Sequence, residues 1–376
     1  MAPAPSFEIF AASPPGLEPL LAQELRALSF QSVQEQPGGV ALQGGWAEVW
    51  RANLMSRLAS RVLVRIASFP VFHLAQLDKR ARKVPWAEIL PRGQPVRLDV
   101  STRKSKIYHA GAAAERIARA ITEAVAAPVV RASEDETALA VKARIDDNRC
   151  TISLDSSGAP LHRRGFKTAI GKAPMRETLA AGFLQASAYS GAEPVIDPMC
   201  GSGTFVLEAA EIAAGLAPGR GRGFAFEQFA SFDAAAWETL RATAATPVSD
   251  PTPLAQGYDR DSGVIGMATQ NAARAGLDGR CSFACQPISA LTRPDGPPGL
   301  VICNPPYGGR IGNKKLLYAL YASFGAAMLA GFRGWRVAIV TSEAGLARAT
   351  QLPFDPPGPP IPHGGLKVRL WQCGPL

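Results

Sequence analysis

The second half of the chain alternates apolar strand-like runs with helical segments, and this alternation limits the fold more than any other feature. The strand-like runs are PVIDPM, PLAQGYD, CSFACQ, GLVICNPPYG and WRVAIVTS. Strands that are apolar along nearly their whole length are typical of a parallel sheet covered by helices on both faces. The sequence therefore predicts a doubly wound α/β domain over residues 158–376, in which ligands bind at the carboxyl ends of the strands.

The first half has a different order of elements and predicts two small α+β units. Near the N-terminus, FEIFA reads as a strand, and a helix and a strand pair follow it, which gives a compact unit over residues 1–49. Residues 50–157 show the order helix, strand, helix, strand, strand, which indicates a second α+β module. A stretch rich in Gly and Arg at its start, residues 217–240, interrupts the later α/β domain as an insertion.

The excess positive charge of the chain lies in its first half. Residues 1–176 contain 25 Lys and Arg against 16 Asp and Glu, whereas residues 177–376 contain 15 of each kind. A basic segment beside a neutral one indicates that the basic segment contacts a polyanion such as RNA. The alternative is a basic surface that serves only solubility.

The candidate RNA contacts are cations in the loop STRKSKIYH, which follows a predicted strand. Arg103, Lys104 and Lys106 supply charge for phosphates, and Tyr108 supplies a ring for a base. A solvated basic loop is the alternative, and the position of this loop in the basic half favours contact with RNA.

Other classes of protein receive little support from the sequence. No stretch approaches the roughly 18 uninterrupted apolar residues of a membrane span, and the N-terminus lacks the basic and apolar regions of a secretory signal. We therefore expect a cytoplasmic protein that does not bind membranes. The six cysteines and four histidines are scattered without the spacing of metal ligands, so no metal site is predicted.

The motif DPMCGSGTF begins with Asp197 at the end of a strand and predicts a ligand-binding loop. Gly201 and Gly203 allow the backbone to approach a ligand closely, and a helix starting near Thr204 directs its positive end at that ligand. A phosphate-binding loop would need a Lys after the second glycine, and a dinucleotide fingerprint would need a third glycine where Val206 stands. Asp197 would repel a pyrophosphate but attract a cation, which favours S-adenosylmethionine; a simple tight turn is the alternative.

The next strand ends in GYDRD and supplies a second acid at the same predicted edge. Asp259 could accept hydrogen bonds from both ribose hydroxyls through its two oxygens. Asp261 is the candidate N-cap of the helix that follows. The alternative for Asp259 is also ordinary helix capping.

The motif NPPYG, directly after an apolar strand, carries the strongest chemical signal. Asn304 supplies a side-chain acceptor, Pro305 and Pro306 fix the direction of the backbone carbonyls, and Tyr307 supplies a ring for stacking. Such acceptors suit a planar exocyclic amine, because they can hold its two N–H groups and stabilise the positive charge that develops during methyl transfer. A purely structural turn is the alternative.

These motifs, in this order, resemble the THUMP-containing class I RNA methyltransferases. The resemblance covers nearly the whole chain and is closest to the N-terminal half of bacterial 23S ribosomal RNA guanine-N2 methyltransferases. The segments that carry it are FAASPPGLEPLLAQEL, LHRRGFKTAIGKAPMRETLAAGFL, VIDPMCGSGTFVLEAA, GYDRDS and ICNPPYGGRIG. The resemblance implies a Rossmann-like methyltransferase domain over residues 158–376, preceded by a ferredoxin-like unit over 1–49 and a THUMP RNA-binding domain over 50–157.

The resemblance also implies roles for individual residues. The methionine end of the cofactor is assigned to Asp197, Cys200, Gly201, Gly203 and the adjacent Thr204, and the ribose to Asp259. Asn304, Pro305, Pro306 and Tyr307 are assigned to the target base, with Asn304 also bordering the cofactor. Residues 174–178 are assigned to a helix packed near the cofactor, and Arg310 to an RNA phosphate.

Three features depart from the family. Gln286 stands where the family usually has an Asp that accepts the adenine amine, and Gly309 stands where a Glu is frequent. The chain ends at Leu376, whereas the bacterial enzymes continue into a second methyltransferase domain, so we expect a single modification.

The leading hypothesis is methyl transfer from S-adenosylmethionine to the N2 amine of a guanosine in 23S ribosomal RNA or its assembly intermediate. The nearest alternative is guanosine in transfer RNA, because the catalytic loop cannot distinguish the two. Methylation of another exocyclic amine and a non-catalytic role in RNA binding or assembly are further alternatives.

Overall fold

The computed structural model describes residues 6–130, 137–168, 175–244, 255–308 and 314–376. The chain forms two compact units. Unit 1 comprises Met1–Ser13, Ala22–Leu161 and Gly223–Thr243, and unit 2 comprises Pro14–Leu21, His162–Arg222 and Ala244–Leu376. Among the described residues, no helix is long and apolar enough to cross a membrane.

Unit 1 is built on one sheet, whose described strands number eight and follow the order β2-β3-β1-β4-β8-β7-β5-β6. The strands are β1 (Phe7–Ala12), β2 (Gln34–Gln36), β3 (Gly39–Gly44), β4 (Arg61–Pro70), β5 (Val96–Arg103), β6 (Val129–Val130), β7 (Leu139–Asp146) and β8 (Arg149–Asp155). The antiparallel pairing of β1 with β4 joins strands of the predicted units 1–49 and 50–157 in one continuous sheet. The boundaries at residues 49 and 157 stay predictions.

The helices of unit 1 include two that the sequence patterns missed. Helix α1 (Glu18–Ala27) begins in unit 2 and ends in unit 1. The other helices with residues in unit 1 are α2 (Trp46–Met55), α3 (Leu74–Ala81), α4 (Trp86–Ile89), α5 (Ala110–Val125) and α8 (Ala234–Ala244). Helices α3 and α4 were not predicted, because they are short and bury only two residues each. The predicted insertion supplies an aromatic cluster to this unit: the Phe226 ring lies 4.9 Å from Trp237 and 6.1 Å from Trp50 of α2, centroid to centroid.

Unit 2 contains the predicted doubly wound domain, and the Rossmann-like fold class is confirmed. Its strands are β9 (Val195–Asp197), β10 (Ala255–Asp259), β11 (Cys281–Cys285), β12 (Leu300–Cys303), β13 (Arg336–Thr341), β14 (Ile361–His363) and β15 (Leu366–Cys373). Their order is β11-β10-β9-β12-β13-β15-β14. Strands β9 to β13 are parallel, and the final hairpin adds β15 antiparallel to β13.

The topology of unit 2 predicts where a ligand binds. The described helices of the unit after α1 are α6 (Glu177–Ala186), α7 (Thr204–Ala213), α9 (Ser262–Arg274), α10 (Lys314–Gly331) and α11 (Ala344–Ala349). From β9 the chain proceeds outward to β10 and β11, whereas from β12 it proceeds in the opposite direction to β13. The reversal of strand order lies between β9 and β12, and ligands of doubly wound sheets bind outside the carboxyl ends of the strands at such a point.

Candidate active site

The three predicted motifs lie at the carboxyl ends of three neighbouring strands. Strand β9 ends at Asp197 and pairs in parallel with β10, which ends at Asp259. On its other side β9 pairs in parallel with β12, which is followed directly by Asn304. The fold therefore brings the glycine loop, the second acid and the NPPY loop to one edge of the sheet, although they are far apart in sequence.

The glycine loop has the backbone conformation that its sequence predicts. Gly201 and Gly203 adopt φ angles of 53° and 88°, a region that favours glycine. A Cβ atom on Gly203 would lie 3.1 Å from Ala268 and 3.2 Å from the Phe283 ring, so this position is crowded. A Cβ atom on Gly201 would meet no described atom within 4 Å, so the backbone there faces open space that a ligand can enter.

Asp259 connects the ends of two strands through its carboxylate. Its Oδ2 accepts a hydrogen bond from the Gly201 N–H at 3.1 Å, and its Oδ1 accepts one from the Asp261 N–H at 3.1 Å. A carboxylate oxygen has a second lone pair, so both oxygens can still accept from ribose hydroxyls. Asp261 caps α9 as predicted, because its Oδ1 accepts from the Gly263 N–H at 2.8 Å.

Asp197 is a buried acid whose surroundings disfavour its ionised form. The residue is 2% exposed, and the Met199 N–H donates to its Oδ1 at 3.0 Å. Burial raises the pKa of this carboxyl well above its usual value, and the nearby charge of Asp259 raises it further. A cationic ligand would stabilise the ionised form of Asp197. A sulfonium or ammonium group supplies such a positive charge. The acid, the open space at Gly201 and the free acceptor capacity of Asp259 fit S-adenosylmethionine.

Cys200 lies in the same loop but is not a candidate nucleophile. The residue is 6% exposed, and burial, followed by the charges of Asp197 and Asp259, raises the pKa of its thiol. A thiol that stays protonated is unreactive. Its place beside the cofactor stays a prediction.

The Asn304 side chain presents an unused acceptor at the sheet edge. Its Oδ1 atom is buried and finds no hydrogen-bond partner among the described residues. Leaving such a group without a partner costs about 1–3 kcal/mol, so it is poised for a donor from a ligand. Pro305 is buried and Pro306 is half-buried next to it.

Tyr307 differs from the expectation of a stacking surface. The side chain is 0% exposed, and it belongs to the core of unit 2. A fully buried ring offers no free face for a base in this conformation. Stacking by Tyr307 stays a prediction that requires the ring to become uncovered.

Glu343 is a residue of this edge that the motifs did not indicate. It lies just after β13, at the N-cap position of α11, and accepts a hydrogen bond from the Gly308 N–H at 2.9 Å through Oε1. No motif joins these two residues, which are 35 positions apart. The signal available in the sequence was an acid after an apolar strand, the same placement that identified Asp197 and Asp259.

The segment RGFK, residues 164–167, holds α7 through two cations, and these roles were also missed. Arg164 donates to both carboxylate oxygens of Glu208, at 3.0 and 3.3 Å, and both side chains are 1% exposed. Lys167 Nζ donates to Thr204 Oγ1 at 2.6 Å and lies 3.0 Å from Glu177 Oε1. Thr204 begins α7, so these contacts fix the helix whose N-terminus follows the glycine loop.

The remaining predicted residues of unit 2 are placed in part. The Gln286 N–H donates to the Asp259 backbone oxygen at 2.9 Å, so Gln286 lies at the same edge, and its contact with adenine stays a prediction. Pro174, Gly309 and Arg310 lie outside the described residues.

The predicted RNA contacts form a basic and aromatic surface on unit 1. Strand β5 ends at Arg103, Lys104 follows it, and the Lys106 ammonium lies 5.4 Å from the centroid of the Phe72 ring. The Lys106 N–H donates to Asn148 Oδ1 at 2.8 Å, which fixes the loop. Tyr108 is 84% exposed, and Phe72 is 45% exposed. Exposed rings among cations suit stacked bases and phosphates.

The strand order of unit 2, with three motifs at the carboxyl ends of neighbouring strands, is that of a class I methyltransferase. Residues 164–353 match the family described as RMKL-like, methyltransferase domain, and residues 8–63 match the RlmL ferredoxin-like domain. The chain belongs to the RMKL-like methyltransferase family.

Similar proteins agree with this assignment. The chain is 34% identical over 367 residues to the putative RNA methyltransferase slr0064 of Synechocystis sp., with 96% of this chain and 95% of that protein covered. It is 39% identical over 359 residues to the ribosomal RNA large subunit methyltransferase K/L of Syntrophotalea carbinolica, with 91% of this chain and 50% of that protein covered. The chain thus spans about half the length of this K/L relative.

A solved structure supports the cofactor. SMU.472, a putative methyltransferase complexed with SAH, is 26% identical, with a TM-score of 0.86 and coverage of 99% of this chain and 98% of that chain. SAH is the product that S-adenosylmethionine leaves after transfer. The predicted cofactor, S-adenosylmethionine, is confirmed by the family and by this neighbour.

Proposed function

We propose that the protein methylates the N2 amine of a guanosine in 23S ribosomal RNA, in the cytoplasm. The observation that carries the proposal is the buried, unpartnered Oδ1 of Asn304, which follows β12 beside the glycine loop that follows β9. Relatives named ribosomal RNA large subunit methyltransferase K/L support a large-subunit RNA as the substrate. Transfer RNA guanosine is the nearest alternative, and the first experiment below separates the two.

The chemistry requires positioning more than a strong base. S-adenosylmethionine, when bound, supplies a methyl group on a positively charged sulfur. Asn304 Oδ1 accepts one N–H of the target amine, and the Pro305 carbonyl accepts the other, which directs the nitrogen lone pair towards the methyl group. Positive charge develops on nitrogen during attack, and these acceptors stabilise it. The amine proton passes to water after transfer.

We further propose that residues 50–157 are a THUMP RNA-binding domain. The support is the basic and aromatic surface formed by Phe72, Arg103, Lys104, Lys106 and Tyr108 on unit 1. Arg310 is proposed as an additional phosphate contact from sequence resemblance alone. RNA held by such a surface depends on salt, because phosphate contacts release counterions.

The substrate is tested by incubating the protein with tritiated S-adenosylmethionine and total RNA. We expect label in the large ribosomal RNA and, after digestion, in N2-methylguanosine. Label confined to transfer RNA would favour the alternative substrate, and N6-methyladenosine would contradict the base assignment. Absence of transfer together with absence of cofactor binding in calorimetry would indicate a non-catalytic RNA-binding protein.

The role of Asn304 is tested by the Asn304→Ala variant, with the exposed Gln270→Ala as control. We expect kcat to fall by a factor of about 10²–10³, the usual effect of removing one transition-state hydrogen-bond group. Cofactor affinity should stay near that of the unchanged protein. Failure to bind the cofactor would instead assign Asn304 to the cofactor or to the fold.

The RNA surface is tested with Lys104→Ala/Lys106→Ala and with Lys79→Ala/Lys83→Ala as a control of equal charge on unit 1. The slope of log affinity against log salt should fall in magnitude by about 0.7–0.9 for each phosphate that the first double variant no longer binds. An equal slope for both double variants would remove the loop from the RNA surface.

A further inference from the structure

Glu343 shares the sheet edge with the target-base loop. Strand β13 pairs in parallel with β12, with Ile339 opposite Cys303, so the residues that follow the two strands emerge side by side. The Gly308 N–H, one residue after the NPPY motif, donates to Glu343 Oε1 at 2.9 Å.

Among the residues that the structure describes, one of the two carboxylate oxygens of Glu343 accepts a hydrogen bond. The Gly308 N–H occupies Oε1, and Oε2 has no hydrogen-bond partner among the described residues. The backbone N–H of Glu343 donates to Thr341 Oγ1 at 3.2 Å, which fixes the start of the side chain. The residue is half-buried, so a hydrogen bond to Oε2 would form in a partly dehydrated place. The carboxylate is thus oriented by the loop and has one acceptor available.

The free acceptor matches one base better than the others. The Watson–Crick edge of guanine carries two neighbouring donors, the N1–H and the N2 amine. Adenine carries an acceptor at N1, and cytosine carries one at N3, so a carboxylate would repel either of them. Single-stranded bases are read on this edge by hydrogen bonds.

We propose that Glu343 selects guanine by accepting the N1–H at Oε2 while Asn304 and Pro305 hold the N2 amine. This inference rests on the proposed function, because it requires a target amine at Asn304. It assigns to Glu343 the choice of base, whereas Asn304 serves the transfer itself.

The Glu343→Gln variant tests this choice with a base analogue. The Gly308 N–H requires an oxygen, so the glutamine must turn its NH₂ group towards the base. That donor opposes the N1–H of guanine but suits 2-aminopurine, which keeps the 2-amine and has an acceptor at N1. Two synthetic RNA fragments are compared, identical except for guanosine or 2-aminopurine riboside at the mapped target.

We expect the unchanged protein to prefer guanosine by at least about tenfold in kcat/KM. Charge-assisted hydrogen bonds contribute about 1.5–3 kcal/mol, so Glu343→Gln should lower kcat/KM for guanosine about tenfold to a hundredfold. The preference of this variant should move towards 2-aminopurine. Glu238→Gln, an exposed change of the same kind, should keep the original preference.

The outcomes separate this inference from the proposed function. No N2-methylguanosine from the unchanged protein would refute the proposed function itself. Methylation of guanosine with an unaltered guanosine to 2-aminopurine ratio in Glu343→Gln would refute the role of Glu343. If Glu343→Gln does not fold, the unchanged protein alone tests the role of Glu343. Equal turnover of the two RNA fragments would then refute that role, and a preference of at least tenfold for guanosine would support it.

Discussion

Replacement of Arg164 by Met should destabilise unit 2 strongly. The guanidinium makes two hydrogen bonds to Glu208, at 3.0 and 3.3 Å, and both side chains are 1% exposed. Burial alone would lower the pKa of Arg164, but the charge and hydrogen bonds of Glu208, with Glu211 and Glu177, raise it above its usual value. Breaking a buried ion pair by removing one partner typically costs about 3–5 kcal/mol.

Hydrogen exchange in peptides of α7 measures this cost, because Glu208 lies on that helix. A destabilisation of about 3 kcal/mol lowers protection roughly a hundredfold. The double variant Arg164→Met/Glu208→Leu should recover about 2 kcal/mol or more, because a buried pair replaced by apolar groups is often neutral. Arg333→Met, an exposed change in unit 2, serves as control. A cost below about 1 kcal/mol for Arg164→Met, or no recovery in the double variant, would refute the reasoning.

Two further changes address the glycine loop and the acid that precedes it. Gly203→Ala places a side chain on a residue with φ 88°, with its Cβ 3.1 Å from Ala268. We expect the free energy of unfolding, measured in urea, to fall by about 1–2 kcal/mol, and cofactor binding, measured by calorimetry, to weaken. Unchanged values in both measurements would contradict the close packing. Burial raises the pKa of Asp197, so ionisation of this carboxyl group opposes folding at neutral pH. Asp197→Asn should therefore stabilise the cofactor-free protein at neutral pH. This gain in stability should vanish as pH falls towards about 4, the usual pKa of an aspartate. Asp197→Asn should also bind S-adenosylmethionine more weakly. Acidification should lower the cofactor affinity of the unchanged protein but not that of this variant. A gain in stability from Asp197→Asn that grows as pH falls would contradict the reasoning.

The sequence predicted those parts of the site that are local in the chain. The ends of β9, β10 and β12 were predictable, because each motif follows an apolar strand within one or two residues. The pairs Arg164–Glu208 and Gly308–Glu343 were not, because their members are 44 and 35 residues apart and no period in the sequence joins them. The burial of Tyr307 also depends on packing within unit 2, which a motif does not encode.

The carboxyl edge of unit 2 concentrates acidic side chains where the proposed reaction handles positive charge. Backbone N–H groups hold Asp197, Asp259 and Glu343 in place, at 2.9 to 3.1 Å. These bonds orient the acids without neutralising them, and burial makes the charge of Asp197 costly. A cationic ligand beside Asp197 would offset that cost, so we expect cofactor affinity and stability to be linked through this carboxyl group. We therefore expect the buried acid to lower the stability of the free protein and the bound cofactor to raise it.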